Sequence, residues 1–168
     1  MLKKRILIWS VIAVILSLIV YLNYAFILTL QANPMIKVDG IKLMMDEENV
    51  INILGNDGEI VHGFGGYFIE YPSNGIFLTF LNDPDTDFYK KVNAIKITGL
   101  HYEIYGLKVG DDFKSAASSL RKKGFKQEEG YEYGFRKSYL YVILNKNGEK
   151  IESIIVGIKD RVSSNRIY

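Results

Sequence analysis

Hydrophobic and polar positions along this chain fall into three regimes. The first is unbroken apolarity. After Lys3, Lys4 and Arg5 no charge occurs until Lys37; residues 6–22 are nearly all aliphatic, and residues 25–30 continue the run. A helix of about 20 apolar residues crosses a bilayer, because its backbone groups all bond within the segment. The pattern predicts a transmembrane anchor over 6–30, with 1–5 as a basic cytoplasmic end and 31–37 ("QANPM" and the next two residues) as a stalk. Tyr21 and Tyr24 suit the far interface, where a ring sits half in lipid and half in water. A cleaved secretory signal is the alternative. The apolar run is longer than the ~7–15 residues of a signal core, and the small-residue site near Ala32 is poor. With no cysteine in the chain, a lipoprotein anchor is excluded. Both readings place the remainder outside the cytoplasmic membrane, as a single-pass protein with its N-terminus inside or as a secreted one.

The second regime has helical spacing, and it occurs twice. "GIKLMMDEENVINILG" at 40–55 is echoed 66 residues later within "GLKVGDDFKSAASSLRKKG" at 106–124. Gly40 aligns with Gly106, Lys42 with Lys108, Asp46 with Asp112, Val50 with Ala116 and Leu54 with Leu120. Phe113, Ala116, Ala117 and Leu120 recur at i, i+3, i+4 and i+7, one face of a helix. Asp46 and Asp112 occupy N-cap positions, Glu47 and Glu48 favour the positive end of the dipole, and Gly55 and Gly124 are C-terminal stops.

The third regime alternates with period two. "GYFIEYP" and "GIFLTFL" flank a hairpin at Ser73–Asn74–Gly75, and "KVNAIKIT" follows a looser loop, "NDPDTD". In the second copy "YEYGF" and "SYLYVILN" lead through Lys146–Asn147–Gly148 to "KIESIIVGI". The last strands align at an offset of 59, Ile95 with Ile154 and Ile97 with Val156. "HYEIYG" is expected as a strand joining the copies. The expected architecture is α+β: two tandem units, 38–100 and 101–160, each a short helix followed by a three- or four-stranded antiparallel meander, with 161–168 a frayed tail. A unit of about 60 residues buries only a thin core, so two units in mutual support make physical sense.

The "G(I/L)K(L/V)xxD" opening, the helix ending near Leu-x-x-x-Gly and the tyrosine-rich meander resemble one fold group over 38–159. It contains the tandem-repeat β-lactamase inhibitor proteins and the small lipoproteins of outer-membrane assembly. The resemblance implies binding of a protein target across an aromatic, concave sheet surface. The chain departs from the inhibitors in lacking their disulfides and carrying an anchor.

Charge and candidate chemistry narrow the classes further. Without the three cations at 3–5, 18 Lys and Arg stand against 19 Asp and Glu, so the outer part is near neutral and unsuited to nucleic acid. No cysteine means no thiol catalysis or zinc thiolate site. Asp83, Asp85 and Asp87 alternate as in a calcium loop, but Phe88 and Ala94 stand where glycine and glutamate are needed. "HGFGG" precedes a strand rather than a helix, which argues for a turn and against a phosphate loop. His62 and His101 have no partner spaced to make a catalytic base, Glu70 and Glu103 are isolated, and Arg121–Lys123 close a helix dipole. No cofactor or metal is expected, nor an enzyme. The partner-binding candidates are Tyr67, Tyr71, Tyr131, Tyr133, Tyr139 and Tyr141, with Tyr139 and Tyr141 pointing outward. The expected function is a membrane-anchored, non-enzymatic module engaging another envelope protein as inhibitor, immunity factor or assembly component. The alternative is an extracytoplasmic sensor of a small ligand or envelope polymer.

Overall fold

The structure is a computed structural model that describes residues 2–63, 65–136 and 138–160. Helix α1 (Leu2–Leu22) is followed after Asn23 by α2 (Tyr24–Ala32), a 3-10 turn (Asn33–Met35) and the short strand β1 (Ile36–Lys37). Then come α3 (Glu47–Leu54), β2 (Glu59–Gly63), β3 (Gly66–Tyr71), β4 (Ile76–Leu81) and β5 (Val92–Ile97). Strand β6 (Glu103–Ile104) leads to α4 (Phe113–Lys122), β7 (Phe125–Gln127), β8 (Glu132–Phe135), β9 (Leu140–Asn147) and β10 (Lys150–Ile158). The architecture is α+β, built on a large antiparallel sheet.

That sheet has eight strands in the order β2-β3-β4-β5-β10-β9-β8-β7. The strand following α3 as the fourth pairs with the strand following α4 as the fourth, so the seam lies at the centre. Ile95 stands opposite Val156 and Ile97 opposite Ile154. Exchanging the positions that align in sequence, Ile95 with Ile154 and Ile97 with Val156, returns the same two pairs. A smaller seam repeats the relation: β1 pairs antiparallel with β6, setting Lys37 opposite Glu103, which is its counterpart 66 residues on. Their side chains form an ion pair at 2.7 Å, which holds the Glu103 carboxyl below its usual range.

Local chemistry explains the two helices over the sheet. In α4 the Asp112 carboxylate accepts from the Ser115 amide at 2.9 Å and from its hydroxyl at 2.8 Å, satisfying an orphan N–H of the first turn. Those bonds depress the Asp112 pKa. Asp46 holds the same position before α3, but its side chain makes no cap bond. Gly55 and Gly124 both take φ of 93°, the left-handed stop that a side chain would strain. Val50 from α3 and Ala116, Ala117 and Leu120 from α4 are buried against the sheet. Across from them lie Leu78, Phe80, Ile95, Ile97, Ile154, Val156, Val142 and Leu144, all fully buried. Each large aliphatic or aromatic side chain removed from water there contributes about 1.5–3 kcal/mol, which a disulfide-free domain requires.

Two expectations about the chain's beginning are corrected. Residues 31–37 are not a free stalk: Ala32 and Val38 are fully buried, and β1 is paired. Asn33 fastens the segment, its amide nitrogen donating to the Leu43 carbonyl at 3.2 Å and its oxygen accepting from the Leu43 amide at 2.8 Å. Nor does the apolar run continue as one rod to residue 30, because α2 docks on the domain through Leu28, Thr29 and Ala32. The physical reason is that a helix apolar on every side accepts either lipid or a protein core, and the pattern does not distinguish them. Among the described residues no single helix is long and apolar enough to cross a membrane; Ile8–Leu22 and Phe26–Met35 pass that test only as a pair, bent by 67°. In "HYEIYG" only Glu103–Ile104 is strand, and Tyr105 and Gly106 turn the chain at φ of 55° and 75°. The expected frayed tail lies outside the described residues.

Candidate functional site

Register divides the sheet's side chains between two faces. The helix side carries Tyr67, Ile69 and Tyr71 of β3 and Tyr133 of β8, all buried. Tyr67 donates to Glu47 of α3 at 2.6 Å and stacks on Phe80 at 5.1 Å, while Tyr71 donates to the Gly55 carbonyl at 3.0 Å. Burial raises the pKa of all three phenols, with Glu47 adding to the shift at Tyr67. These three expected contact residues are therefore packed in the core rather than presented on a free surface. Tyr131 lies on the same side at the rim, exposed, with its ring edge-on to Phe113 of α4 at 5.3 Å.

Among the described residues no helix packs on the opposite face, where side chains are mostly half-buried. Its residues run across the strands in rows. One row passes from Val61 through Phe68, Thr79, Ala94 and Gly157 to Tyr141 and Gly134. The next passes from Glu59 through Glu70, Phe77, Lys96, Ile155 and Ile143 to Glu132. The first row is small at its middle, Thr79, Ala94 and Gly157, with an aromatic on each side, Phe68 and Tyr141. Tyr141 lies down along the strand neighbour: a Cβ on Gly157 would stand 2.6 Å from its hydroxyl oxygen. Burial, with the Glu132 charge alongside, pushes the Tyr141 pKa up to about 12. Lys159 pairs with Glu132 and sits 5.7 Å from the Tyr141 ring centre, and Lys96 lies 4.7 Å over Phe77. The second row thus has Lys96 on one side of an aliphatic centre formed by Ile155 and Ile143, and the Glu132–Lys159 ion pair on the other.

Of the six expected tyrosines, Tyr141 belongs to this open face. Tyr139, just before β9, is instead half-buried and packed against the core, with Tyr24 of α2 edge-on to it at 5.3 Å. The sequence reading missed Phe68, Phe77, Ile143 and Ile155. A period-two count alone would have grouped them, but which of the two groups faces water depends on where the helices dock. Asn93 is the extra residue of a bulge between β4 and β5, and its buried side-chain oxygen has no hydrogen-bond partner.

Elsewhere the chemistry is structural. His62 lies 6.3 Å from Tyr67, and His101 packs against Tyr102 at 3.9 Å with the rings tilted by 47°. In the acidic loop Asp83 accepts from the Asp85 amide at 3.0 Å, forming a turn. Among the described residues no group of three or more His, Asp or Glu is placed to hold a metal ion. Two surface depressions of about 450 Å³ lie on the outer sides of α4 (Lys114, Ser118, Lys122) and α3 (Glu48, Ile51, Asn52), both away from the open sheet face.

Neither a protein-family model nor a curated protein matches this sequence. A solved structure is similar in fold: an extracellular protein containing an SCP domain from Bacillus anthracis str. Ames, with a TM-score of 0.50 at 9% identity. The similarity covers 70% of this chain but 44% of that one, so the chain spans less than half the length of its neighbour. At that identity the likeness speaks for the fold alone.

Proposed function

We propose that this protein is a membrane-anchored, extracytoplasmic binding module that engages another envelope protein through the open face of its sheet, without catalysis. The observation that carries the reading is the open face itself: one side of an eight-stranded sheet carries α3 and α4, and the other presents Phe68, Phe77, Ile143, Ile155 and Tyr141 in adjacent rows. Aromatic and aliphatic groups with a few flanking charges are the composition of protein-binding patches. The two seams that exchange aligned residues support a pair of tandem units, and the doubled sheet is wide enough for a partner's footprint. Residues 6–22 offer 17 uncharged positions, at the short end of what spans a bilayer, with Lys3, Lys4 and Arg5 to reach the cytoplasmic headgroups. The extracellular nature of the SCP-domain protein is in keeping with an extracytoplasmic site.

The test places a photo-crosslinking residue at Phe77 and, separately, at exposed Ser118 on α4, in the full-length protein in its own membrane. An adduct of defined mass formed from position 77 and absent from 118 supports the reading. Equal labelling from both, or none from position 77, sinks it.

A further inference from the structure

We propose that α2 is an interfacial helix: its outward side lies on the phospholipid surface and holds the domain against the bilayer that α1 enters. This rests on the anchor reading above and adds to it a second, distinct lipid contact. Three observations point there. First, α2 has two unlike sides despite its uniform composition. Leu28, Thr29 and Ala32 are buried in the domain, whereas Phe26 and Leu30, four residues apart and hence on one face, are 56% and 61% exposed. Second, that bare face is continuous with the anchor. Only Asn23 separates α1 from α2, and the 67° bend turns α2 toward the membrane plane when α1 stands along the normal. Third, the rim of the face is cationic. Lys42 shares one shallow depression with Phe26 and Leu30, and Lys91 shares a neighbouring one with Phe26 and Asp46. Apolar side chains at acyl depth with lysines at headgroup level match an anionic phospholipid surface.

The domain grips α2 at both ends, so α2 and the domain move as one body. Tyr24 donates to the Lys159 carbonyl at 3.2 Å at one end, and Asn33 is bonded to Leu43 at the other. With α2 lying on lipid, the domain keeps one orientation over the membrane, which sets the direction in which its sheet face is presented.

The chain's single tryptophan, Trp9 in α1, makes the test separable. The full-length protein is reconstituted in vesicles of phosphatidylcholine and phosphatidylglycerol carrying bromine on upper or lower acyl carbons. Trp9 fluorescence reports the anchor; a Trp9→Phe, Leu30→Trp variant reports α2. The expected result is loss of most Trp9 emission with the deep label and most emission at position 30 with the shallow label. Lys42→Glu with Lys91→Glu should weaken only the second loss. Quenching of Trp9 without quenching at position 30 leaves the anchor standing and overturns the interfacial helix. A residue at position 30 that is shielded from aqueous quencher yet untouched by brominated lipid means that protein covers the face, which overturns it too. Failure of Trp9 itself to quench overturns the anchor and the inference together.

Discussion

Replacing Asn33 by alanine isolates the grip of the domain on its N-terminal segment. The Asn33 amide bonds both backbone groups of Leu43, at 3.2 and 2.8 Å, and Leu43 is buried. Truncation leaves a buried N–H and a buried C=O without partners, each costing about 1–3 kcal/mol in desolvation. Asn33 is itself half-exposed, so water partly replaces it, and a total of about 2–4 kcal/mol is expected. For a domain of this size that lowers the melting temperature by roughly 5–10 °C. The assay is thermal unfolding of the full-length chain in detergent micelles, followed by near-ultraviolet circular dichroism of the packed tyrosines in a Trp9→Phe, Tyr21→Phe background, which removes the α1 chromophores. Gln31→Ala, exposed and two residues away, is the control and should melt with the parent. Asn33→Asp keeps the acceptor for the Leu43 amide but loses the donor, so it should fall between them. Coincident melting of Asn33→Ala, Gln31→Ala and the parent would refute the reasoning and return residues 31–37 to the status of a stalk.

Further outcomes follow from the two faces of the sheet. Phe80→Ala empties a fully buried site stacked on Tyr67 and should cost about 3–5 kcal/mol, read by denaturant unfolding. Phe77→Ala, on the open side of the same strand, should stay within about 1 kcal/mol; equal losses would mean the faces are assigned wrongly. Gly66→Ala should fail to fold, because its Cβ would stand 2.3 Å from the Phe80 carbonyl oxygen, whereas Gly148 opens onto free space at φ 61° and Gly148→Asn should express normally. Alkali should unfold the domain: Tyr102, Tyr105 and Tyr141 ionise at about 12 when folded against 10.0 ordinarily, so folding retains protons that the unfolded chain releases. Stability is then full below pH 10 and lost as pH rises toward 12, and Tyr141→Phe should flatten that fall in a tyrosinate titration with parallel circular dichroism.

Local order was written in short-range pattern. Spacings of three and four residues marked α3 and α4, Asp112 and the two glycines marked their ends, and alternation marked the strands on either side of the Gly75 and Gly148 turns. Those features depend on backbone geometry and neighbouring side chains, so a single strand or helix carries them whatever it packs against. Extended back beyond Gly40, the offset of 66 residues also relates Lys37 to Glu103, but that they meet across β1 and β6 is seen only in the structure. The tertiary structure decided what each pattern faces. Tyr67, Tyr71 and Tyr133 alternate along their strands as Tyr139 and Tyr141 do, yet the first three fall under the helices and Tyr141 on the open side. Alternation distinguishes two faces without saying which one is covered, and tyrosine, apolar in its ring and polar at its tip, suits either. In the same way, residues 24–32 are too uniformly apolar to reveal that one side binds the domain. Only the docking of Leu28 and Ala32 into the core, with Asn33 bonded to Leu43, separates α2 from the helix before it.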